Sequence, residues 1–93
     1  MKIPYGYYYN DQGVITIDEE KAKVIQMIFD MYIAGSSLRT ISHKLSERNI
    51  LTPTGKQKWS AETIDKMISN KKFIPIISWK RFVDACFEKD RRH

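Results

Sequence analysis

Three times in this chain a small polar residue opens a stretch whose apolar side chains recur three and four positions apart. Asp18, with Glu19 and Glu20 behind it, opens a run in which Ile25, Ile28, Phe29 and Tyr32 share one face and Val24 and Met31 widen it. Ser37 opens a second, over 38 to about 48, with Leu38, Ile41 and Leu45 inward. Ser60 opens a third, over 61 to about 70, with Ala61, Ile64, Met67 and Ile68 inward. A side-chain oxygen at such a position accepts one of the unpaired N–H groups of the first helical turn, and acids there complement the helix dipole. Gly35 ends the first helix by accepting a left-handed conformation, and Trp59 stands where it can pack over the start of the third as half of a hydrophobic staple.

Ahead of the helices, residues 5–9 and 14–17 are rich in aromatic and β-branched side chains, and Asn10-Asp11-Gln12-Gly13 between them suits a four-residue hairpin connection. A lone two-stranded ribbon is marginal in water, so one face must lie on the helices. Residues 49–58 contain Pro, Gly and two Lys and read as an exposed loop. Pro75 argues against helix over 73–77. Ser78 then caps a short fourth helix with Trp79, Phe82, Val83 and Cys86 on one stripe, and residues 89–93 should fray. The fold expected is mainly α with a small β-hairpin: a trihelical, helix-turn-helix-like DNA-binding domain with an N-terminal hairpin and a short C-terminal helix. Residues 1–74 form the domain and 75–93 a divergent tail packed on it.

Ninety-three residues allow one small core. No apolar run reaches the roughly 20 residues of a membrane span, and the N-terminus lacks the charged and apolar regions of a secretory signal. The expected location is the cytoplasm, with no membrane partner. Cys86 is the single cysteine and His43 and His93 the only histidines, too few for an internal disulfide or a tetrahedral zinc site, so no metal or cofactor is expected. Charge is unevenly spread. Residues 1–38 hold three Lys/Arg against five Asp/Glu, whereas residues 39–72 hold eight against three. Positive charge concentrated on one stretch attracts polyanions because neutralised phosphates release their counterions. Charge alone does not separate such a site from an ordinary solvated basic face.

The residues that could carry chemistry point the same way. In a trihelical unit of this kind the last helix enters the major groove and reads bases from its outer face. Here that face carries Glu62, Thr63, Lys66, Ser69 and Asn70: Thr63 and Asn70 can bond to base edges, Glu62 can accept from a cytosine amine, and Lys66 can reach guanine or phosphate. The same stripe would also suit a plain solvated helix. Arg39 and Thr40 in the first turn of the second helix, Lys44, and Thr54, Lys56 and Lys58 on the loop are suited to phosphates, as are Ser60 with the free N–H groups beside it and Lys71 and Lys72. No nucleophile–base pair, carboxylate pair or Gly-rich phosphate loop is spelled by the spacing, and His43 reads as a surface side chain. No small-molecule substrate is implied.

The order of these features resembles a known family. Pro4-Tyr5-Gly6-Tyr7, Ile17-Asp18-Glu19-Glu20, Ile28-Phe29-Asp30-Met31-Tyr32 and Gly35 are followed by Ser37-Leu38-Arg39-Thr40-Ile41, Leu45, Asn49-Ile50, Thr52-Pro53, Gly55, Trp59-Ser60 and Ile64 to Ile68-Ser69-Asn70. Over about 4–74 this is similar to the recombinase domain of large serine recombinases, in the resolvase–invertase group. The resemblance implies double-stranded DNA at a recombination half-site as the partner, in the integration or excision of mobile elements, and other recombinase subunits met through domains absent here. It implies that a separate catalytic domain holds the nucleophilic serine, so Ser36, Ser37, Ser42, Ser46, Ser60, Ser69 and Ser78 do not inherit that role and the chain alone is not an enzyme. The family usually continues after Phe73-Ile74 with Gly and short strands, where this chain has Pro75. The alternatives are a helix-turn-helix transcription regulator and a protein-interaction module using the tyrosine hairpin and the tail.

Overall fold

Each of the three expected caps makes its hydrogen bond. Asp18 Oδ1 accepts from the Lys21 N–H at 3.3 Å, Ser37 Oγ from Thr40 at 3.1 Å and Ser60 Oγ from Thr63 at 3.1 Å. They open α1 (Glu19–Ile33), α2 (Leu38–Glu47) and α3 (Ala61–Ile68) in the computed structural model, which describes residues 5–53 and 55–92. Two helices follow, α4 (Ile74–Ile77) and α5 (Trp79–Arg92), and two strands precede, β1 (Tyr7–Tyr9) and β2 (Ile15–Ile17). The architecture is mainly helical with a small antiparallel hairpin. Among the described residues no helix is long and apolar enough to cross a membrane.

α1 ends as its glycine predicts. Gly35, at φ +105°, sends its N–H to the Tyr32 carbonyl while Ser36 bonds to Met31, which is a Schellman closure. α2 repeats the device with Asn49 (φ +57°) in the glycine's place, bonding to Ser46 while Ile50 bonds to Leu45. The helices close on one core in which Ile25, Ile28, Phe29, Ile41, Leu45, Ile64 and Ile68 are fully buried.

The hairpin is shorter than its composition suggests, with register Tyr7↔Ile17, Tyr8↔Thr16 and Tyr9↔Ile15. Val14 belongs to the turn, where the Asn10 N–H bonds to its carbonyl and Asn10 Oδ1 accepts from Gln12 and Val14. Gly6 breaks the extended run at the other end with φ +97°. Its carbonyl accepts the Asp18 N–H at 2.7 Å, and a Cβ there would lie 2.6 Å from Ile25 Cδ1. The Tyr7 hydroxyl donates to the Lys72 carbonyl at 2.9 Å and pins the ribbon to the far side of the domain.

Four expectations are corrected. Helix does form around Pro75: Asn70 caps a 3-10 turn at Lys71–Phe73 that leads into α4, and Pro75 sits in the first turn, where a missing N–H leaves no acceptor unpaired. The α conformation of Ile74 just before a proline is disfavoured, and burial of Ile76 and Ile77 against α1 offsets it. Ala61 is exposed, because the helix start extends past the core and opens onto a shallow concavity beside Tyr32, Leu38 and Arg92. α3 stops at Ile68 rather than near Asn70.

The largest correction concerns the tail. α5 is fourteen residues long, and residues 89–92 are helical rather than frayed. It turns back at Ser78, a non-glycine at φ +83° and ψ 155°, and lies along α1 with Phe82 and Ala85 inward and Arg81 paired to Asp30. Trp79 is outside the buried stripe at 62% exposure and stacks over Phe82. The last turn is held because Glu88 receives Arg91 and Arg92 at 2.8 Å, and Arg92 donates on to the carbonyls of Tyr32 (3.0 Å) and Ser36 (2.7 Å) with its guanidinium over the Tyr32 ring.

Hydrogen bonds from Arg92, then Arg91, hold the Glu88 carboxyl below the usual glutamate range. A depressed folded-state pKa contributes stability above the unfolded value, which is lost as pH falls through the folded one. Acidification below about pH 4 should therefore loosen the end of α5, seen as faster amide exchange at residues 89–92, and Glu88→Gln should abolish that pH dependence while lowering the thermal midpoint at neutral pH. Gly6→Ala should cost about 1–3 kcal/mol in urea denaturation, because the positive φ and the Ile25 contact both disfavour a side chain.

Candidate nucleic-acid interface

The loop after α2 buries Thr52, exposes the side chains of Lys56, Gln57 and Lys58, and ties its backbone with hydrogen bonds. The Thr52 N–H donates to the Lys56 carbonyl, Gly55 donates back to Thr52, and the Lys56 N–H donates to Thr52 Oγ1 at 2.9 Å. Trp59 anchors the next residues: its ring is 2% exposed, its Nε1–H donates to the Ile50 carbonyl at 2.7 Å, and Tyr5 meets it edge-on at 6.3 Å. Burial first, then the carboxylate of Asp18, pushes the Tyr5 hydroxyl pKa up. Gly55, Lys56, Gln57 and Lys58 are thus presented to solvent from a tied backbone.

Three adjoining depressions form one open groove along this side. The first, about 650 Å³, lies on the outer face of α2 between Arg39, Thr40, Ser42, His43, Lys44, Ser46, Glu47, Lys58 and Trp59. The second, about 250 Å³, continues from Lys58 to Thr52, Pro53, Lys56, Ser60 and Thr63. The third, also about 250 Å³, starts from Pro53 and Thr63 and runs along α3 past Lys66, Met67 and Asn70 to Tyr5 and Phe73. Arg39, Lys44, Lys56, Lys58 and Lys66 line it, while Glu47 is the one acid among the described lining residues and lies 3.3 Å from His43 Nε2.

The groove brings together nine of the residues singled out from sequence: Arg39, Thr40, Lys44, Lys56, Lys58, Ser60, Thr63, Lys66 and Asn70. Lys66 is open to solvent, and Thr63 and Asn70 are half-buried. Three of the groove's hydroxyls are engaged in the caps: Ser37 Oγ donates to Thr40 Oγ1, and Ser60 Oγ and Thr63 Oγ1 are 2.9 Å apart. Asn70 Oδ1 accepts from the Lys72 N–H at 3.0 Å. Lys71 and Lys72 are exposed on the 3-10 turn, off the groove.

Glu62 is placed elsewhere. It lines the concavity on the opposite flank of α3 with Tyr32, Leu38, Ala61, Asp65 and Arg92, and pairs with Lys66 at 3.1 Å. Both partners are about three-quarters exposed, so the pair is weak, a few tenths of a kcal/mol, and Lys66 can leave it readily. Ser69 faces the same way and accepts from Lys89 Nζ at 2.6 Å. Thr54 lies outside the described residues. Ser42, His43 and Ser46 join the groove without having been expected to, although their spacing from Arg39 marks them as one outer face of α2.

Taken together, fold and groove define a small helical module with five cationic side chains lining its α2–loop–α3 side. The chain belongs to the Recombinase family, whose match spans residues 19–93 and so takes in α4 and α5. No solved structure matches it. The family ties the chain to site-specific recombination, in agreement with the resemblance to serine recombinases carried by residues 4–74. Ser60→Ala should destabilise the domain by about 1 kcal/mol through loss of the cap, with faster hydrogen exchange at the Thr63 amide as the local readout.

Proposed function

We propose that this chain binds one half-site of a recombination target in duplex DNA, with α3 in the major groove and α2 and the 51–58 loop on the sugar–phosphate backbone. The observation that supports this most is the groove itself, which carries five cationic side chains and one acid that already has a partner. Arg39, Lys44, Lys56 and Lys58 contact phosphates, with Lys71 and Lys72 as flanking contacts, and Thr63, Lys66 and Asn70 face base edges. The connection between α2 and α3 runs over residues 48–60, far longer than the three or four residues of a compact helix-turn-helix. That length places Lys56 and Lys58 where they follow the backbone beside the reading helix. In this reading the chain supplies recognition, strand exchange belongs to a catalytic serine domain, and further recombinase subunits complete the assembly in the cytoplasm.

Four to six phosphate contacts predict a log–log salt slope of about −4 to −5 for the affinity. Lys58→Ala should weaken all duplexes alike and reduce that slope by about one. Lys66→Ala should cost about 1–3 kcal/mol on the preferred site and alter base preference at one position. Anisotropy titrations against the parent element's attachment site and a scrambled duplex check both. A flat salt dependence removes the electrostatic part, and equal losses on every sequence from both variants remove α3 as the reader.

A further inference from the structure

The reading helix carries two acids, Glu62 and Asp65, beside the surface proposed to meet polyphosphate. Each has a cation within 3.3 Å, but from different sources. Glu62 is met by Lys66 one turn along the same exposed helix face, whereas Asp65 is met by Lys89 from α5. The second pair is built. Lys89 Nζ lies 3.3 Å from Asp65 Oδ1 and donates to Ser69 Oγ at 2.6 Å, so one ammonium group spans two α3 positions a turn apart. Its side chain is 29% exposed and that of Asp65 39%, against 75% and 77% for the Lys66–Glu62 pair. The helix behind Lys89 is itself fastened, through Arg81 to Asp30 and through Arg92 to the carbonyls that end α1.

We propose that Lys89 is a positioning residue for DNA recognition: it neutralises Asp65 on the flank of α3, which makes α5 part of the binding surface. This rests on the reading of α3 given above. A duplex seated on α3 brings a phosphate wall to each side of the helix. The loop flank supplies Lys56 and Lys58, while the α5 flank would present the Asp65 carboxylate to the second wall if Lys89 were absent. Neutralisation and mechanical bracing make opposite predictions for Asp65. A brace is lost with Lys89, is at best weakened in Asp65→Asn, where Lys89 keeps its bond to Ser69, and is not restored by losing both. Neutralisation needs the lysine only while the carboxylate is there.

The test is a double-substitution cycle on the full chain, titrated against a mixed-sequence duplex at low and at physiological salt. Lys89→Ala should weaken binding about five- to tenfold, the effect of one uncompensated unit charge some 7 Å from a phosphate. Asp65→Asn alone, which leaves the Lys89 ammonium uncompensated, should tighten binding by a similar factor. The two together should return to within about twofold of the unsubstituted chain, because one neutral pair replaces another, a recovery that a lost brace would not show. Lys89→Arg should retain affinity, and Lys80→Ala, with the same change in net charge at the far end of α5, should weaken binding by less than about twofold. Binding by the unsubstituted chain with no loss in Lys89→Ala, or an equal loss in Asp65→Asn, overturns the neutralising role and leaves the DNA-binding reading standing. No binding by the unsubstituted chain overturns both.

Discussion

The buried indole of Trp59 is the contact on which the geometry of the candidate interface depends. One hydrogen bond, from Nε1 to the Ile50 carbonyl, joins the residue before the α3 cap to the backbone just past the end of α2. That carbonyl would otherwise be an unpaired acceptor beside the core, where an unmade hydrogen bond costs about 1–3 kcal/mol. The same ring fills space between the helices and meets Tyr5 edge-on, so the segment before β1, the loop and α3 share one anchor. Residues 51–58 are therefore bounded at both ends by fixed points, and the internal bonds of Thr52 tighten what lies between. A long basic connection would ordinarily lose much entropy on meeting a ligand. Here most of the backbone ordering is complete before any ligand arrives.

A second constraint comes from the opposite end of the chain. α5 lies along α1, and its final turn converts three potential liabilities into one network. Glu88 is nearly buried, the carbonyls of Tyr32 and Ser36 lie at a helix end, and Arg92 brings a charged guanidinium onto the Tyr32 ring. Joined, the carboxylate is satisfied by two guanidinium groups, and Arg92 bridges it to the end of α1 while covering the Tyr32 ring. Removing a single member would strand the others, which is why a terminal segment so rich in charge is ordered rather than loose. Lys89 is a product of that order, since its reach to Asp65 and Ser69 requires α5 to stay where Arg92 holds it.

What could be read from sequence follows the range of the forces involved. Helix starts are local: Asp18, Ser37 and Ser60 each bond within three residues, and all three were legible. The glycine at 35 and the core stripes of α1 and α2 were legible for the same reason. Where the outcome depended on residues far apart in the chain, pattern was silent or misleading. Ala61 has the right period to be buried and is not, because no neighbour covers that end of α3. Pro75 appeared to forbid helix, but its position in a first turn is set by the Asn70 cap and by Ile76 and Ile77 finding α1. Residues 89–92 read as frayed in sequence because the partners that order them, Tyr32 and Ser36, lie more than fifty residues upstream. The stripe on α3 divides in two for a comparable reason. Thr63, Lys66 and Asn70 open on the groove while Glu62 and Ser69 turn to the other flank, and periodicity assigns all five to one side.

That division bears on how a module of this size could discriminate among sequences. A helix seated in a major groove has two flanks, and each must be made compatible with a phosphate wall. On one flank compatibility is direct, with Lys56 and Lys58 on a tied loop and Arg39 and Lys44 beyond them on α2. On the other it is indirect: the acids of α3 are balanced within the protein, Glu62 by a neighbour on its own helix and Asp65 by a helix from the end of the chain. Phosphate contacts on the first flank carry no sequence information. In the proposed reading, settling α3 deeply enough to reach base edges draws on both flanks. In the proposed reading, the cationic surplus of residues 39–72 attracts the polyanion, and seating α3 also calls on α5 through Lys89, which lies outside that stretch.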